Sequence, residues 1–566
     1  MSDRKNTPWM THPRPQMKRE EYLILQDGWE LNSRPIRMPF PPQSALSGYK
    51  GEIGDELSYT CRFRIPDTWK GGRVLLHFGA VDQIADVCLN GKKIGHHEGG
   101  YLPFTFDVTE ILVFEESAER TKDVLEQFKD CYLELTARDE LSKDYPYGKQ
   151  CKNPHGMWYT PVSGIWQQVW LEHVPDVYIE KMTITPALDR VQVKVVCNKP
   201  TESIKVNVAL SDGNILTAVS ADGNFDIEIP DAHLWTPEDP YLYDMTVTAG
   251  EDCVQSYFAL RTIDICERDG VNRVCLNGEP VFLHGVLDQG YFKNGIFLPE
   301  TEAGYEKDIR SMKELGFNLL RKHIKVEPEC FYYTCDRLGM LVMQDMVNNG
   351  SYSFVRDTAL PTVGFKKRSD LRLNHPKKVR DVFRRHTCGT IEHLYNHPCI
   401  VAYTIFNEGW GQFCADEMYD MVKSLDGTRL VDATSGWFAQ KKSDFDSEHI
   451  YFRLKKLRPK KRPLFISECG GYQYMVKGHF FGEKEYGYGA CKDGDELTGR
   501  IEEMYEKMIL PYIEDGVCGC IYTQLSDVEG EINGMYTYDR QICKVDKNRM
   551  QKLAEKLGNK KFFKKI

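Results

Sequence analysis

The feature that most limits the fold is an alternation that starts near residue 280 and continues almost to the end of the chain. Eight short apolar runs, PVFLHGV, NLLR, MLVMQDM, CIVAYTIFNE, RLVDATSG, HIYF, PLFISE and GCIYTQLSD, are separated by helical stretches or long connections. In EAGYEKDIRSMKELGF, Tyr305, Ile309, Met312 and Leu315 recur at helical spacing on one face. Strands and helices alternating this way predict a parallel (β/α)8 barrel over residues 266–566. A doubly wound sheet is the alternative, but no G-x-G-x-x-G follows a strand, and GYGACKDG at Gly487 lacks the third glycine. Before residue 266 the pattern is β throughout: RVLLHF, ADVCLNGKKIG with an Asn-Gly turn, FTFDV, CYLELTAR, QVWLEHV, VQVKVVC, IKVNVAL and YLYDMTVTA. That spacing predicts a large β-sandwich over residues 1–177, rich in aromatics such as Trp158, Tyr159, Trp166 and Trp170, and an immunoglobulin-like sandwich over 178–265.

Two barrel strands end in a way that turn chemistry does not explain. CIVAYTIF runs into Asn407 and Glu408, and PLFIS runs into Glu468. Residues at the C-terminal ends of barrel strands face the mouth, so these two carboxylates can meet across one pocket although they are distant in sequence. Two facing carboxylates suit glycosidic bond cleavage, one protonating the leaving oxygen while the other attacks or stabilises the anomeric carbon. The bland reading is a pair of strand caps or surface ion pairs. Arg321, ending NLLR, is placed to stabilise an ionised Glu468, and Tyr451 in HIYF to donate to it. Trp437 in SGWF offers a face for a sugar ring.

Composition narrows the alternatives. A net charge of -10 argues against a nucleic-acid partner, and no apolar run approaches the length of a membrane helix. The first residues carry no apolar leader core, so a cytoplasmic location is expected. Eighteen cysteines without a C-x-x-C pair read as reduced, mostly buried thiols. The basic run Arg453 to Pro463 and the lysine-rich C-terminus read as solvated faces. His393 and His397 have the i,i+4 spacing of metal ligands, but Pro398 follows and no third ligand is evident, so no metal and no cofactor are expected. No G-x-S-x-G, H-E-x-x-H or phosphate-loop motif occurs.

The segments YTPVSGIWQQVWLE, LNGEPVFLHGV, the Asn407–Glu408 pair after NHPCIVAYTIF, FISECGG and IYTQLSDVEGEINGMYTYDR resemble those of glycoside hydrolase family 2 over nearly the whole chain. The resemblance implies a jelly-roll, sugar-binding-like β-sandwich, an immunoglobulin-like β-sandwich and a (β/α)8 TIM barrel. It implies a retaining exo-β-glycosidase with Glu408 as acid/base, Glu468 as nucleophile, and Asn407 binding the substrate 2-hydroxyl. In such a pair the ionised nucleophile would keep Glu408 protonated for the first step. Departures bear on the sugar. RKHIKVEP replaces the R-x-S-H-Y-P of many members, so His323 falls one place from the expected histidine. LDQGY replaces an N-x-H-E type loop and makes Asp288 and Gln289 candidate hydroxyl-binding groups. Where family β-glucuronidases carry Asn-x-Lys, this chain has Glu531, Ile532 and Asn533. A neutral β-hexoside, first a β-galactoside, is therefore favoured over a β-glucuronide, with Lys322 or Lys325 as substitute cations for the latter. Mannosides, arabinopyranosides and galactofuranosides stay open. The expected partner is a small glycoside, with self-association left open; a catalytically silent sugar-binding protein is the alternative of another class.

Overall fold

The computed structural model describes residues 8–112, 130–371, 375–451 and 454–558. The first sandwich packs a four-stranded sheet (Tyr22–Ile24, Val169–Val174, Arg73–Phe78, Phe104–Asp107) on a six-stranded one that includes Glu56–Phe63, Cys131–Arg138 and Ile84–Leu89. Period-two alternation puts Leu57, Tyr59 and Cys61 inside with Leu133, Leu135 and Val87. The second sandwich, from Ile179 to Phe258, sets three strands against four around Val191, Val193, Val206 and Val247. Arg19 clamps the two: buried, it donates to Glu172 of the first and to Asp252 of the second at 2.9–3.1 Å.

A hairpin (Ile263–Arg268 with Val271–Leu276) leads into the barrel, and its return strand starts at an Asn277–Gly278 turn with φ of 54° and 80°, the left-handed pair that a tight hairpin needs. The expectation that every cysteine is a free thiol is corrected here. Cys266 and Cys275 sit on neighbouring antiparallel strands, 6.1 Å apart at Cα, and are joined by a disulfide.

The barrel strands are β1 (Leu283–Asp288), β2 (Leu319–Lys322), β3 (Leu341–Asp345), β4 (Ile400–Asn407), β5 (Leu430–Ser435), β6 (Asp446–Ile450), β7 (Leu464–Gly470) and β8 (Val517–Thr523). They form one parallel sheet in the order β5-β4-β3-β2-β1-β8-β7-β6. Side chains close the remaining seam: Ser447 donates to Asp432 at 2.8 Å, and Ser435 bonds His449 at 2.9 Å. Helices α1 (Ala303–Glu314), α2 (Glu329–Leu338), α3 (Lys377–Leu394), α4 (Ala415–Leu425) and α5 (Gly494–Met504) pack outside, and α6 (Lys547–Lys556) follows β8. Tyr305, Ile309 and Met312 of α1, with Leu315 just beyond it, are buried together, as the sequence spacing predicts. The described residues between β5 and β6, and between β6 and β7, form no helix. Most of the described part of the basic run after β6 is exposed, whereas Arg453 and the lysines from 559 on lie outside the described residues. No helix among the described residues is long and apolar enough to cross a membrane.

Candidate active site

At the mouth of the barrel the ends of β2, β3, β4, β6 and β7 converge. Asn407 is the last residue of β4, and the chain turns at Glu408 into the left-handed region, φ 53°, a conformation a glutamate adopts only where its surroundings impose it. The Glu408 amide donates to Ser435 O at 3.0 Å, and its carboxylate meets His449 Nδ1 at 2.8 Å. One oxygen of Glu408, one of Glu468 and a nitrogen of His449 all lie within 4.8 Å of one another. The two carboxylates anticipated from the strand ends thus share one pocket.

Glu468 is heavily partnered. Arg321, wholly buried, donates from Nη1 to Glu468 Oε1 at 3.0 Å and to Ser467 O at 2.9 Å. Its Nη2 donates to Asn407 Oδ1 at 2.9 Å, and its Nε is shared between both oxygens of Asp345 at 3.1 Å. Tyr451 donates to the other Glu468 oxygen. Burial alone would raise the Glu468 pKa; its neighbours His449, the Arg321 guanidinium and His323, with the Tyr451 hydroxyl, outweigh it and hold the carboxyl at about 2. Asn407 Oδ1 is taken by Arg321, which leaves its amide nitrogen to donate into the pocket. The trio of Glu408, His449 and Glu468 is compact enough to ligate an ion, but the Arg321 guanidinium on Glu468 suits a proton-handling pair better than a divalent cation.

Other expected residues fall into different roles. His323 bonds Asp345 at 2.7 Å, and burial lowers its pKa to about 4, so at neutral pH it is an uncharged ring donating from Nδ1. Trp437 donates from Nε1 to Glu408 O and to Asp357 O, each at 3.0 Å, and so backs the turn that carries Glu408. Asp288 is not left as a free hydroxyl acceptor. It accepts from Lys322 at 2.8 Å and from the Gly290 amide at 2.9 Å. Lys322 and Lys325 are themselves buried against Glu327, at 2.6 and 2.9 Å, so neither serves as a substitute cation for a substrate. Gln289 is buried beside this cluster. His393 and His397 pair with Glu329 at 3.8 Å and Asp336 at 2.7 Å, without converging on each other's partners.

Sequence reading missed His449, Asp345 and Lys149. His449 on β6 lies two residues before Tyr451, just past the strand's end, and that period-two spacing was the available signal. Lys149 could not be placed, because it comes from the first sandwich. Glu531, also buried, accepts from Tyr159 of that sandwich and from Asn533 Nδ2 at 2.9 Å; burial pushes its carboxyl up, with the Tyr159 hydroxyl, the Lys149 charge and Asn533 opposing. A cavity of about 700 Å³ opens beside the pocket, lined by Tyr147, Met157, Trp158, Tyr352, Phe354 and Tyr486. A second cavity, of about 750 Å³, lies under the opposite end of β1 and β8, away from both carboxylates.

Three models describing domains of one family match in succession: the galactose-binding domain-like model over residues 52–156, the family 2 glycosyl hydrolase model over 177–261, and its TIM barrel model over 269–463. The chain belongs to glycoside hydrolase family 2. Among curated relatives, a β-galactosidase of Thermoanaerobacter pseudethanolicus is 27% identical over 51% of this chain and 39% of its own length. A β-glucuronidase of Bacteroides fragilis is 25% identical over 68% of this chain and 56% of its own. The chain thus spans between about two fifths and just over half of those relatives. In fold, this family 2 chain is similar to a β-D-glucuronidase of Dictyoglomus thermophilum, with a TM-score of 0.74 and 17% identity over 96% of this chain and 98% of that one. A β-galacturonidase of Eisenbergiella tayi bound to galacturonate gives 0.69 and 19% over 96% and 99%.

Proposed function

We propose that the chain is a retaining exo-β-glycosidase in which Glu468 is the nucleophile and Glu408 the acid/base. The observation that carries the reading is the asymmetry of the pair. Glu468 is held ionised by Arg321 and Tyr451, while Glu408, within 4.8 Å of it, has neither an arginine nor a tyrosine on its carboxylate. Close spacing of that kind, about 5 Å, belongs to attack by the second carboxylate itself and leaves no room for an intervening water.

In the first step a Glu468 oxygen bonds to the anomeric carbon as the glycosidic C–O bond breaks and Glu408 delivers its proton to the departing oxygen. Esterification removes the Glu468 charge. Glu408, now a carboxylate, takes a proton from water as that water bonds to the anomeric carbon, and Glu468 leaves as a carboxylate again. Arg321 supports both ionised states of Glu468, and the Asn407 amide is positioned to donate to the 2-hydroxyl. The aromatic cavity beside Trp158 and Tyr352 offers room for the aglycone.

As to the sugar, a neutral β-hexoside such as a β-galactoside was the first expectation, and the relatives named β-galactosidase and β-glucuronidase are similarly remote. What separates the two sugars chemically is a cation free to meet a carboxylate. Lys322 and Lys325 are not free, whereas Lys149 is a candidate.

The test is leaving-group dependence. Glu408→Ala should reduce cleavage of alkyl β-glycosides by about 10²–10⁴-fold, the usual worth of a positioned acid, and that of nitrophenyl glycosides far less in the first step. Equal losses for both would contradict the assignment, and a wild-type protein that binds aryl glycosides without cleaving them would favour the silent binder.

A further inference from the structure

Lys149 stands on a loop of the first sandwich that is held to the barrel just before it and to the sandwich itself just after it. Before it, the Tyr147 and Gly148 amides donate to Asn348 O at 3.1 and 3.4 Å, and the Tyr147 hydroxyl donates to Gly350 O at 2.9 Å. Gly148 has φ 61°, and a Cβ there would come within 2.8 Å of Ile324 O, so glycine lets the loop close directly onto the residue that follows His323. After it, Gln150 donates to Asp82 and Tyr101 at 2.8 and 3.0 Å, and Lys149 O accepts from Tyr159 at 2.9 Å.

The backbone position is therefore fixed, and the residue is 9% exposed. Its ammonium lies 5.7 Å from the centre of the Trp158 ring. Trp158 in turn packs 5.2 Å from Trp410, two residues past Glu408. The charge of Lys149 is felt at His323 and at Glu531, and both of those groups interact with Glu468. Trp158 and Trp410 thus connect Lys149 to the turn that carries Glu408.

What distinguishes it is the lack of an anion. Among the described residues, the buried Lys322, Lys325 and Lys544 each contact a carboxylate within 3 Å, as a largely desolvated ammonium requires. Lys149 is almost as buried, and among the described residues its Nζ makes no ion pair or hydrogen bond. Glu531, whose carboxyl feels the Lys149 charge, makes no ion pair or hydrogen bond with it and accepts instead from Tyr159 and Asn533. A cation kept unpaired in a largely enclosed site is suited to an anion that arrives with the substrate.

We propose that Lys149 receives the carboxylate of a uronic acid, and that the sugar cleaved is a β-glucuronide or β-galacturonide. The proposal rests on the glycosidase reading above and replaces the expectation of a neutral hexoside.

The experiment compares wild type with Lys149→Met and Lys149→Arg on nitrophenyl β-glucuronide, β-galacturonide, β-glucoside and β-galactoside at one ionic strength. Wild type should favour one of the two uronides. In Lys149→Met, kcat/KM for that uronide relative to the neutral sugar of the same configuration should fall by about 10–100-fold, mainly through KM, the scale of one charged hydrogen bond. Lys149→Arg should restore part of the ratio. As a readout independent of whether the variants fold, free glucuronate or galacturonate should inhibit wild type more strongly than glucose or galactose. A wild type that prefers a neutral hexoside, or a ratio unmoved by Lys149→Met in a folded protein, overturns the proposal and leaves the roles of Glu408 and Glu468 standing. Failure to cleave either uronide also overturns the proposal, whereas the glycosidase reading falls only if nitrophenyl mannoside, arabinopyranoside and galactofuranoside are refused as well.

Discussion

Arg321 concentrates the electrostatics of the site. One guanidinium reaches Glu468, Asp345, Asn407 and the Ser467 carbonyl, a division of labour that its planar fork permits and a lysine would not reproduce. The consequence at Glu468 is a pKa of about 2, below the free glutamate value of 4.5. A depressed carboxyl adds stability that is fully present above about pH 4.5 and is lost as the pH falls toward 2. Glu468→Gln should therefore abolish turnover while keeping the fold, at a cost of about 1–3 kcal/mol near neutrality. Thermal melts should show a wild-type-to-variant gap that is constant from pH 7 to 5 and closes below about 4.5; a gap unchanged between pH 5 and 3 would contradict the depressed pKa. At this scale much was legible. Glu408, Glu468 and Arg321 all end apolar runs, and a polar residue ending a buried strand stands out without any structure. Asp345 also ends one, in MLVMQDM, but an acid beside a future arginine cannot be told from any other strand-end acid until β2 and β3 are paired.

Strand alternation decides which residues of each run reach the mouth. Arg321 on β2 and His323 just past its end face inward, so Lys322 must point to the other side, where it meets Asp288, its partner in register on β1. The cluster is completed by Glu327, by the Tyr305 hydroxyl of α1 at 2.9 Å from Glu327, and by the Phe331 ring of α2, 4.8 Å from the Lys322 ammonium. Asp288 and Lys322 are therefore a buried tie between strands and helices. Lys322→Met leaves Asp288 without its cation and should cost about 3–5 kcal/mol, the range for breaking a buried pair. Denaturant melts measure that loss, while the ratio of uronide to neutral hexoside cleavage should remain that of wild type. A shifted ratio with unchanged stability would place Lys322 in the substrate pocket after all. The alternation rule is available from sequence, but the register that matches Asp288 to Lys322 is a tertiary fact. That is why both residues were read as substrate-binding candidates.

At the scale of the whole molecule, the modules are wedged together by buried polar contacts. Trp235 and Tyr257 of the second sandwich donate to the backbone and the carboxylate of Asp336 at 2.8 Å, and Arg261 donates to Pro398 O and Ile400 O at 2.9 and 2.6 Å. Tyr101 and Trp166 of the first sandwich pack on Phe297 of the barrel's β1–α1 connection. The three-part organisation was readable from the change in periodicity along the chain, but the docking of the 147–150 loop on the barrel mouth was not, since nothing local to that loop encodes its distant partner. Everything this assembly does for catalysis converges on one claim, that Glu468 forms a covalent bond to the sugar. The direct measurement is to incubate the protein with the 2-deoxy-2-fluoro-β-glycosyl fluoride of whichever sugar it turns over fastest, then map the adduct by peptide mass spectrometry. The account predicts inactivation with one fluorosugar on the peptide containing Glu468, and no labelling of Glu468→Gln. A label on another residue, or turnover that releases the sugar with inverted anomeric configuration, would contradict it.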